Sequence, residues 1–302
     1  MPRIAWMNGC FLPDADARVP FRDRGFTLGD GCFDTARTFA GRPYLFGEHI
    51  ARLYNSMRLL RIDPGVDAAT LLAVTLELVE RNGPLLAPGD DWWVTQWVSR
   101  GMRADDRGSG ASRPTIIVEC STLPFASRAA LVRDGADLVT STVRRPVRHG
   151  VPPAIKSLAY LPLVLADLEV QERAPGAWSL ALDEDGNLNE GLGSNVFLGV
   201  GGRLLTPRAE TVLPGLTRAT VIDLAHDLGI AVDERDLPPA IAATAEEAFV
   251  TSTSLCILPA RSFDGRPLPG GAPGPVATRL IAAFCQRLGG FDFREQYLRH
   301  LG

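Results

Sequence analysis

The chain has 302 residues, 46% hydrophobic and 22% charged, which excludes disorder, a collagen repeat or a disulfide-stapled miniature fold and leaves room for two domains. A formal charge of −4 builds in no attraction to nucleic acid or to an acidic membrane, so small molecules are the expected partners. No stretch approaches the ~20 apolar residues of a bilayer-spanning helix, and Met1–Asp14 lacks the order of a secretion signal, which predicts a soluble, cytoplasmic protein.

In chain order, a short strand is expected to end at Met7-Asn8-Gly9, followed by strands at Cys32–Phe39 and Pro43–Phe46 joined through Ala40-Gly41, a hairpin beginning. The spacing of Ile50, Leu53, Met57 and Leu60 predicts a helix over Gly47–Arg61, with His49, Arg52 and Ser56 on a second stripe. A second helix, Leu71–Arg81, ends at Asn82-Gly83-Pro84. Strands at Trp92–Ser99 and Thr115–Cys120 flank a polar loop, Gly101–Arg113. These elements make up a first domain over 1–120, with 121–133 as an interdomain loop and 134–302 as a larger second domain.

The second domain opens with a strand at Ala136–Val143. A turn-rich stretch, Pro146–Pro153, leads into Ile155-Lys156. Leu158, Leu161, Leu165 and Leu168 then recur at helical spacing, with Pro162 suited to the first turn. Strands follow at Trp178–Leu182, Asn195–Val200 and Leu204–Thr206, the first two separated by the turn Asp185-Gly186-Asn187. Thr217 opens a helix that buries Val221, Leu224, Ala225 and Leu228 and stops at Gly229. Glu247–Thr251 is a strand running into Ser252-Thr253-Ser254, and Pro275–Leu288 and Asp292–Leu301 close the chain as helices.

Of the 31 basic positions one is a lysine, Lys156, which leaves 30 arginines. A compositional bias replaces lysine by arginine wherever charge alone matters. It spares lysine where an amine must become neutral and bond covalently to a carbonyl, which a guanidinium cannot do. The five cysteines are scattered, odd in number and never form a C-x-x-C pair, so no metal and no disulfide is expected.

Three features suit an anionic group such as a phosphate. Arg52 offers a bidentate fork. Leu213-Pro214-Gly215-Leu216-Thr217 turns free N–H groups and a hydroxyl outward at a helix start. Ser252-Thr253 follows a strand and adds hydroxyls. In Asn189-Glu190-Gly191-Leu192-Gly193-Ser194-Asn195, a carboxylate precedes two glycines. Placed at a pyridine nitrogen it would hold the ring protonated and make it an electron sink. An amine, a ring-nitrogen carboxylate and a phosphate cup are what pyridoxal 5′-phosphate needs.

With these residues the chain resembles the fold-type IV, or class IV, pyridoxal-phosphate aminotransferases. The resemblance is carried by Asp23-Arg24-Gly25-Phe26 with Gly29-Asp30-Gly31-Cys32-Phe33, by Glu48-His49-Ile50-Ala51-Arg52-Leu53, and by Ile155-Lys156-Ser157-Leu158. It continues in Asn189-Glu190-Gly191 with Ser194-Asn195-Val196-Phe197, in Leu213-Pro214-Gly215-Leu216-Thr217-Arg218, and in Phe249-Val250-Thr251-Ser252-Thr253-Ser254. It implies a two-domain α/β (α+β) fold, with a smaller N-terminal α/β domain and a larger C-terminal domain containing a pseudo-barrel, and a homodimer. By the same resemblance Lys156 carries the cofactor as a Schiff base and shuttles the proton, and Glu190 pairs with the ring nitrogen. Arg52, Leu216, Thr217 and Thr253 hold the phosphate with Ser252 and Gly193 nearby, and Tyr160 is a candidate for the ring hydroxyl. An amino donor and a keto acid acceptor would react in ping-pong order.

Within the family, Cys32-Phe33-Asp34-Thr35-Ala36-Arg37 departs from the Phe-Glu-Gly-x-Arg of branched-chain enzymes, and Thr95 aligns with their substrate-carboxylate arginine. Thr251-Ser252-Thr253-Ser254 and Val98-Ser99-Arg100-Gly101 resemble D-amino-acid aminotransferases, although Ala104-Asp105-Asp106-Arg107 replaces their Pro-Arg-x-His trap. Arg37, Arg100, Arg103 and Arg107 are the candidates for binding a substrate carboxylate, with Phe33 and Ser254 as further substrate-side positions. The expectation is a D-amino-acid or (R)-amine transaminase using pyruvate or 2-oxoglutarate, with aminodeoxychorismate lyase and branched-chain L-amino-acid aminotransferase as alternatives.

Overall fold

A computed structural model describes residues 2–103, 113–146 and 150–301. The chain divides into two compact units, Met1–Leu123 with Ile155–Ala159, and Pro124–Ala154 with Tyr160–Gly302. No helix among the described residues is long and apolar enough to cross a membrane.

The first unit contains β1 (Ile4–Met7), β2 (Cys10–Pro13), α1 (Arg24–Leu28), β3 (Gly31–Phe39), β4 (Arg42–Tyr44), α2 (Phe46–Leu60), α3 (Ala68–Asn82), β5 (Trp92–Ser99) and β6 (Thr115–Thr122). Its six strands form one antiparallel sheet in the order β2-β1-β6-β5-β3-β4. Cys32, Ala36, Val94, Val98, Val118 and Cys120 project from the sheet onto Ile50, Leu53 and Met57 of α2 and Leu71 and Leu78 of α3. Period-2 and period-3.6 patterns thus meet in one core. Asp67 caps α3 through the Thr70 N–H at 2.7 Å. At the far end of α2, Arg61 adopts the left-handed conformation at φ 55°, and Arg100 donates to the Leu60 and Arg61 carbonyls at 2.8 and 2.9 Å.

Ile155–Ala159 belongs to this first unit, a correction to a second domain that takes in all of 134–302. The segment lies beside the start of β3: Phe33 N–H donates to the Lys156 carbonyl and Leu158 N–H to the Gly31 carbonyl, both at 2.9 Å, and Cys32 bridges Ser157 antiparallel. The junction requires a glycine. A Cβ on Gly31 would lie 2.3 Å from the Val98 carbonyl oxygen, 2.7 Å from Leu158 Cδ1 and 2.9 Å from Ser99 Cα. Two of these atoms are backbone and cannot swing aside, so Gly31→Ala is expected to lower stability by about 1–3 kcal/mol or more. A urea midpoint within error of wild type would contradict this.

The second unit contains α4 (Phe125–Asp134), β7 (Ala136–Arg145), α5 (Leu161–Arg173), β8 (Trp178–Asp183), β9 (Glu190–Gly191), β10 (Ser194–Val200), β11 (Arg203–Thr206) and α6 (Leu216–Asp227). It continues with β12 (Val232–Glu234), β13 (Glu247–Ser252), β14 (Cys256–Phe263), β15 (Arg266–Pro267), α7 (Pro275–Arg287) and α8 (Glu295–Leu298). The strands form a mixed sheet, β12-β11-β10-β13-β14-β7-β8, with β9 on β10 and β15 on β14. The β11–β12, β14–β7 and β7–β8 pairs are parallel and the others antiparallel.

Two expectations for this unit change, those for residues 121–133 and for the last helix, and two features go beyond them. Residues 121–133 are not a loop throughout, because Phe125, Ala129 and Val132 bury one face of α4. The leucine stripe of α5 points outward: Leu161, Leu165 and Leu168 are exposed, while Leu163, Ala166 and Val170 are buried and Leu163 and Ala166 pack with Ala181. Strand β14 goes beyond the sequence expectations because Pro259 stands inside it, where proline withholds a ladder donor; it nevertheless pairs with Phe249 of β13. The last expected helix shortens to Glu295–Leu298.

Candidate active site

The first unit supplies Lys156 and the groups around it. Lys156 is 8% exposed, and its backbone N–H donates to Ser56 Oγ at 3.1 Å. Its Nζ stands 4.6 Å from the centroid of Phe33, whose ring stacks on Trp97 at 4.9 Å. The amine is therefore held over an aromatic face, in a segment fixed on both sides by backbone hydrogen bonds.

Asp34, fully buried on β3, organises the second stripe of α2. Arg52 donates to it from Nε and Nη2, each at 2.7 Å, and His49 Nδ1 lies 2.6 Å from Oδ1. Since an ionised carboxylate only accepts, Nδ1 must carry the proton of that bond. Burial by itself would raise the Asp34 carboxyl, but the Arg52 guanidinium and then the His49 hydrogen bond outweigh it and hold the group well below the usual carboxylate range. For His49 burial is the largest influence and pushes the imidazole down; the pull of Asp34 opposes it, while Arg52 and Lys156 add to it.

Both groups are depressed on folding, so each contributes stability above its unfolded pKa and loses it as pH falls toward the folded value. The unfolded chain protonates His49 near pH 6.5 and Asp34 near pH 4. Stability is therefore expected to fall from about pH 7 to 5 with a slope of up to about 1.4 kcal/mol per pH unit from His49, and again below about pH 4. His49→Gln should flatten the first decline in denaturant midpoints measured against pH. An unchanged profile would show that His49 does not carry it.

The second unit supplies Glu190 and the candidate anion-binding turns. Glu190, on β9, is 4% exposed. Its Oε2 accepts from the Leu213 N–H at 3.0 Å and from Asn195 Nδ2 at 3.3 Å, and Oε1 is paired with Arg145. A carboxylate has about four acceptor positions, so three protein donors leave one for a ring N–H. Helix α6 begins at Leu216 behind Gly215 with no side-chain cap, which leaves its first N–H groups, beside the Thr217 hydroxyl, able to bind an anion. A Cβ on Gly215 would lie 2.1 Å from Asn195 Oδ1, so this turn is seated directly on the residue that also touches Glu190.

At the end of β13, Ser252 and Thr253 are half-buried and Ser254 is gripped twice: Arg128 Nη1 donates to its Oγ at 2.8 Å and the buried Tyr297 hydroxyl to its carbonyl at 2.7 Å. Thr251 Oγ1 is buried with no hydrogen-bond partner among the described residues. In the first unit a buried lysine amine, and in the second a carboxylate with an acceptor position to spare, an uncapped helix start and an orphaned hydroxyl beside a serine-threonine turn, are each the kind of group that suits pyridoxal 5′-phosphate.

The remaining expected residues fall as follows. Gly193 is exposed at φ 87° in the turn between β9 and β10. Tyr160 is half-buried at the start of α5 and packs against the Leu163–Ala166–Ala181 cluster. Arg37 is 1% exposed; it donates to the Thr38 carbonyl, lies over Phe39 and faces Asp91 at 3.7 Å. Arg100 grips Asp30 with two bonds besides capping α2. Arg103 is exposed, and Arg107 lies outside the described residues. Asp34, His49 and Arg145, which are linked by hydrogen bonds to the candidate residues Arg52 and Glu190, are not singled out by the sequence reading. The available signals were an acidic residue within an apolar strand and a histidine one helical turn before Arg52.

Each unit thus carries side chains of the kind that a pyridoxal-phosphate enzyme uses. Residues 31–263 match the family described as amino-transferase class IV. The chain is 34% identical over 283 residues to a putative branched-chain-amino-acid aminotransferase of Methanocaldococcus jannaschii, covering 92% of this chain and 94% of that protein. It is 30% identical over 277 residues to a D-alanine aminotransferase of Bacillus licheniformis, covering 91% and 94%. The crystal structure of a T.th. branched-chain amino acid aminotransferase complexed with N-(5′-phosphopyridoxyl)-L-glutamate superposes with a TM-score of 0.83 at 28% identity, covering 98% and 97%. The chain belongs to the class IV aminotransferases, enzymes whose cofactor is pyridoxal 5′-phosphate.

Proposed function

We propose that this aminotransferase moves the amino group of a D-amino acid or an (R)-primary amine to a 2-keto acid, pyruvate or 2-oxoglutarate. The observation that carries this reading is the neutral pair Thr35–Thr95. The two hydroxyls lie 3.1 Å apart on facing positions of β3 and β5, and by the family resemblance Thr95 stands where branched-chain enzymes carry their substrate-carboxylate arginine. A hydroxyl pair there supplies no charge to a carboxylate, which sets this position apart from branched-chain enzymes and leaves the carboxylate of a keto acid or D-amino acid to be held by another group. Arg37, the next arginine along β3, is committed to Asp91 and Thr38.

The cofactor supplies an aldehyde that takes up the amino group and a ring that draws electrons from the substrate carbon. Lys156 would hold the cofactor through Nζ, and the same amine, held over Phe33, would serve as the base that carries the proton. Glu190 would accept the ring N–H. Arg52, oriented by Asp34, and the Leu216, Thr217, Ser252 and Thr253 groups would bind its phosphate, and Tyr160 is assigned to the ring hydroxyl. The assembly is assigned as a homodimer and the compartment as the cytoplasm.

The second reading is a branched-chain L-amino-acid aminotransferase, favoured by the names of relatives such as the archaeal protein. D- and L-amino acids and both hands of 1-phenylethylamine, each paired with pyruvate and 2-oxoglutarate, separate the two. Turnover of D-alanine or the (R)-amine supports the proposal. Turnover restricted to L-leucine, L-isoleucine and L-valine overturns it, as does release of pyruvate from aminodeoxychorismate without any amino transfer.

A further inference from the structure

Glu190 is joined to a cation that the aminotransferase chemistry above does not use. Arg145, the last residue of β7, is half-buried and pairs through Nη1 with Glu190 Oε1. The same nitrogen donates to Asn189 Oδ1 at 3.2 Å. Asn189 is itself immobilised, fully buried, with its N–H on the Ala181 carbonyl at 3.0 Å and its Nδ2 on the Thr211 carbonyl at 2.5 Å. The guanidinium is therefore aimed at the carboxylate by a fixed amide. A register shift between Thr140 and Arg144 in the pairing of β7 with β8 accompanies its placement at this end of the sheet.

We propose that Arg145 is a positioning residue that balances part of the Glu190 charge and, through it, sets how firmly the bound cofactor ring keeps its nitrogen proton. The inference rests on the assignment of Glu190 to the ring nitrogen. A lone carboxylate beside the ring would stabilise a pyridinium with a full negative charge. A carboxylate already paired with a guanidinium is close to neutral overall and stabilises the pyridinium less, which weakens the ring as an electron sink.

The other charged side chains on the elements packed around β9 are placed differently. The Asp183 carboxylate on β8 accepts from the Asn187 N–H at 2.8 Å, and the Arg144 guanidinium on β7 lies against Gly186. Strand β10 carries no charged residue, and Leu213 reaches Glu190 through its backbone alone. Arg145 is the cation in hydrogen-bond contact with Glu190 among the described residues.

The test is a pH titration of the absorption of the bound cofactor in the holoenzyme, for wild type, Arg145→Gln, Arg145→Lys and Asn189→Ala. Removing one positive charge at this range is expected to raise the midpoint by about one pH unit for Arg145→Gln. Arg145→Lys, which keeps the charge, should stay within about 0.3 unit. Asn189→Ala, which only loosens the guanidinium, should move in the same direction by less. In a Glu190→Gln background Arg145→Gln should have almost no effect, since the coupling runs through the carboxylate.

An Arg145→Gln midpoint equal to wild type, or an equal shift with and without the Glu190 carboxylate, overturns the inference. If Arg145→Gln does not fold, an unchanged midpoint in Asn189→Ala overturns it in its place. A wild-type chain that takes up no cofactor at Lys156 would instead overturn the aminotransferase assignment on which this rests.

Discussion

Lys156→Ala is expected to fold normally and to lose at least about 10⁴-fold in turnover with every donor, because one substitution removes both the covalent anchor and the proton carrier. The fold should tolerate it: the Lys156 segment is held to β3 and α2 by backbone groups, and the side chain adds only its packing on Phe33. Lys156→Arg is the sharper control. It keeps the positive charge and most of the stem, yet a guanidinium stays protonated and offers no free amine. If the role were electrostatic, arginine would restore much of the activity; if it is nucleophilic, arginine should be as inactive as alanine. Borohydride reduction of the wild-type holoenzyme followed by mass analysis of the Lys156 peptide should show the reduced cofactor on that residue. A Lys156→Ala protein within about tenfold of wild type, or label on no lysine, would contradict this.

Much of the candidate site is legible in the sequence because it is made of short contiguous motifs whose chemistry can be proposed without coordinates. A sole lysine among 31 basic residues, Glu190 before two glycines and Leu213–Thr217 at a helix start each state a function locally. What stayed hidden depends on which distant residues face one another. Asp34 and Arg52 lie 18 positions apart, and Arg145 and Glu190 lie 45 apart. Only pairing of β3 with α2, and of β7 with the sheet that carries β9, brings them together. The arginine candidates illustrate the same point: composition cannot distinguish Arg37, buried against Asp91, from a cation that meets a substrate. The outward leucines of α5 show that helical spacing locates a stripe without saying whether it faces the core.

The largest expected loss of stability is at Asp34. Its carboxylate receives the Arg52 fork, the His49 Nδ1–H and the Thr35 N–H at 2.8 Å, all around a fully buried group. Forming such a network gains little over an apolar core of the same volume, because desolvation offsets the Coulomb attraction. Removing one member is different, since the Arg52 charge is then deprived of the carboxylate that faces it. Asp34→Ala is therefore expected to destabilise the first unit by about 3–5 kcal/mol, read as a lowered denaturant midpoint of the purified apoprotein. Pairing it with Arg52→Leu should recover part of that loss by removing the stranded charge as well. The double variant separates stability from cofactor binding. If Arg52 serves the phosphate, the recovered fold should still hold pyridoxal 5′-phosphate at least about tenfold more weakly than wild type while binding phosphate-free pyridoxal nearly as well. Equal loss for both ligands would assign Arg52 to the architecture of α2 and β3 alone.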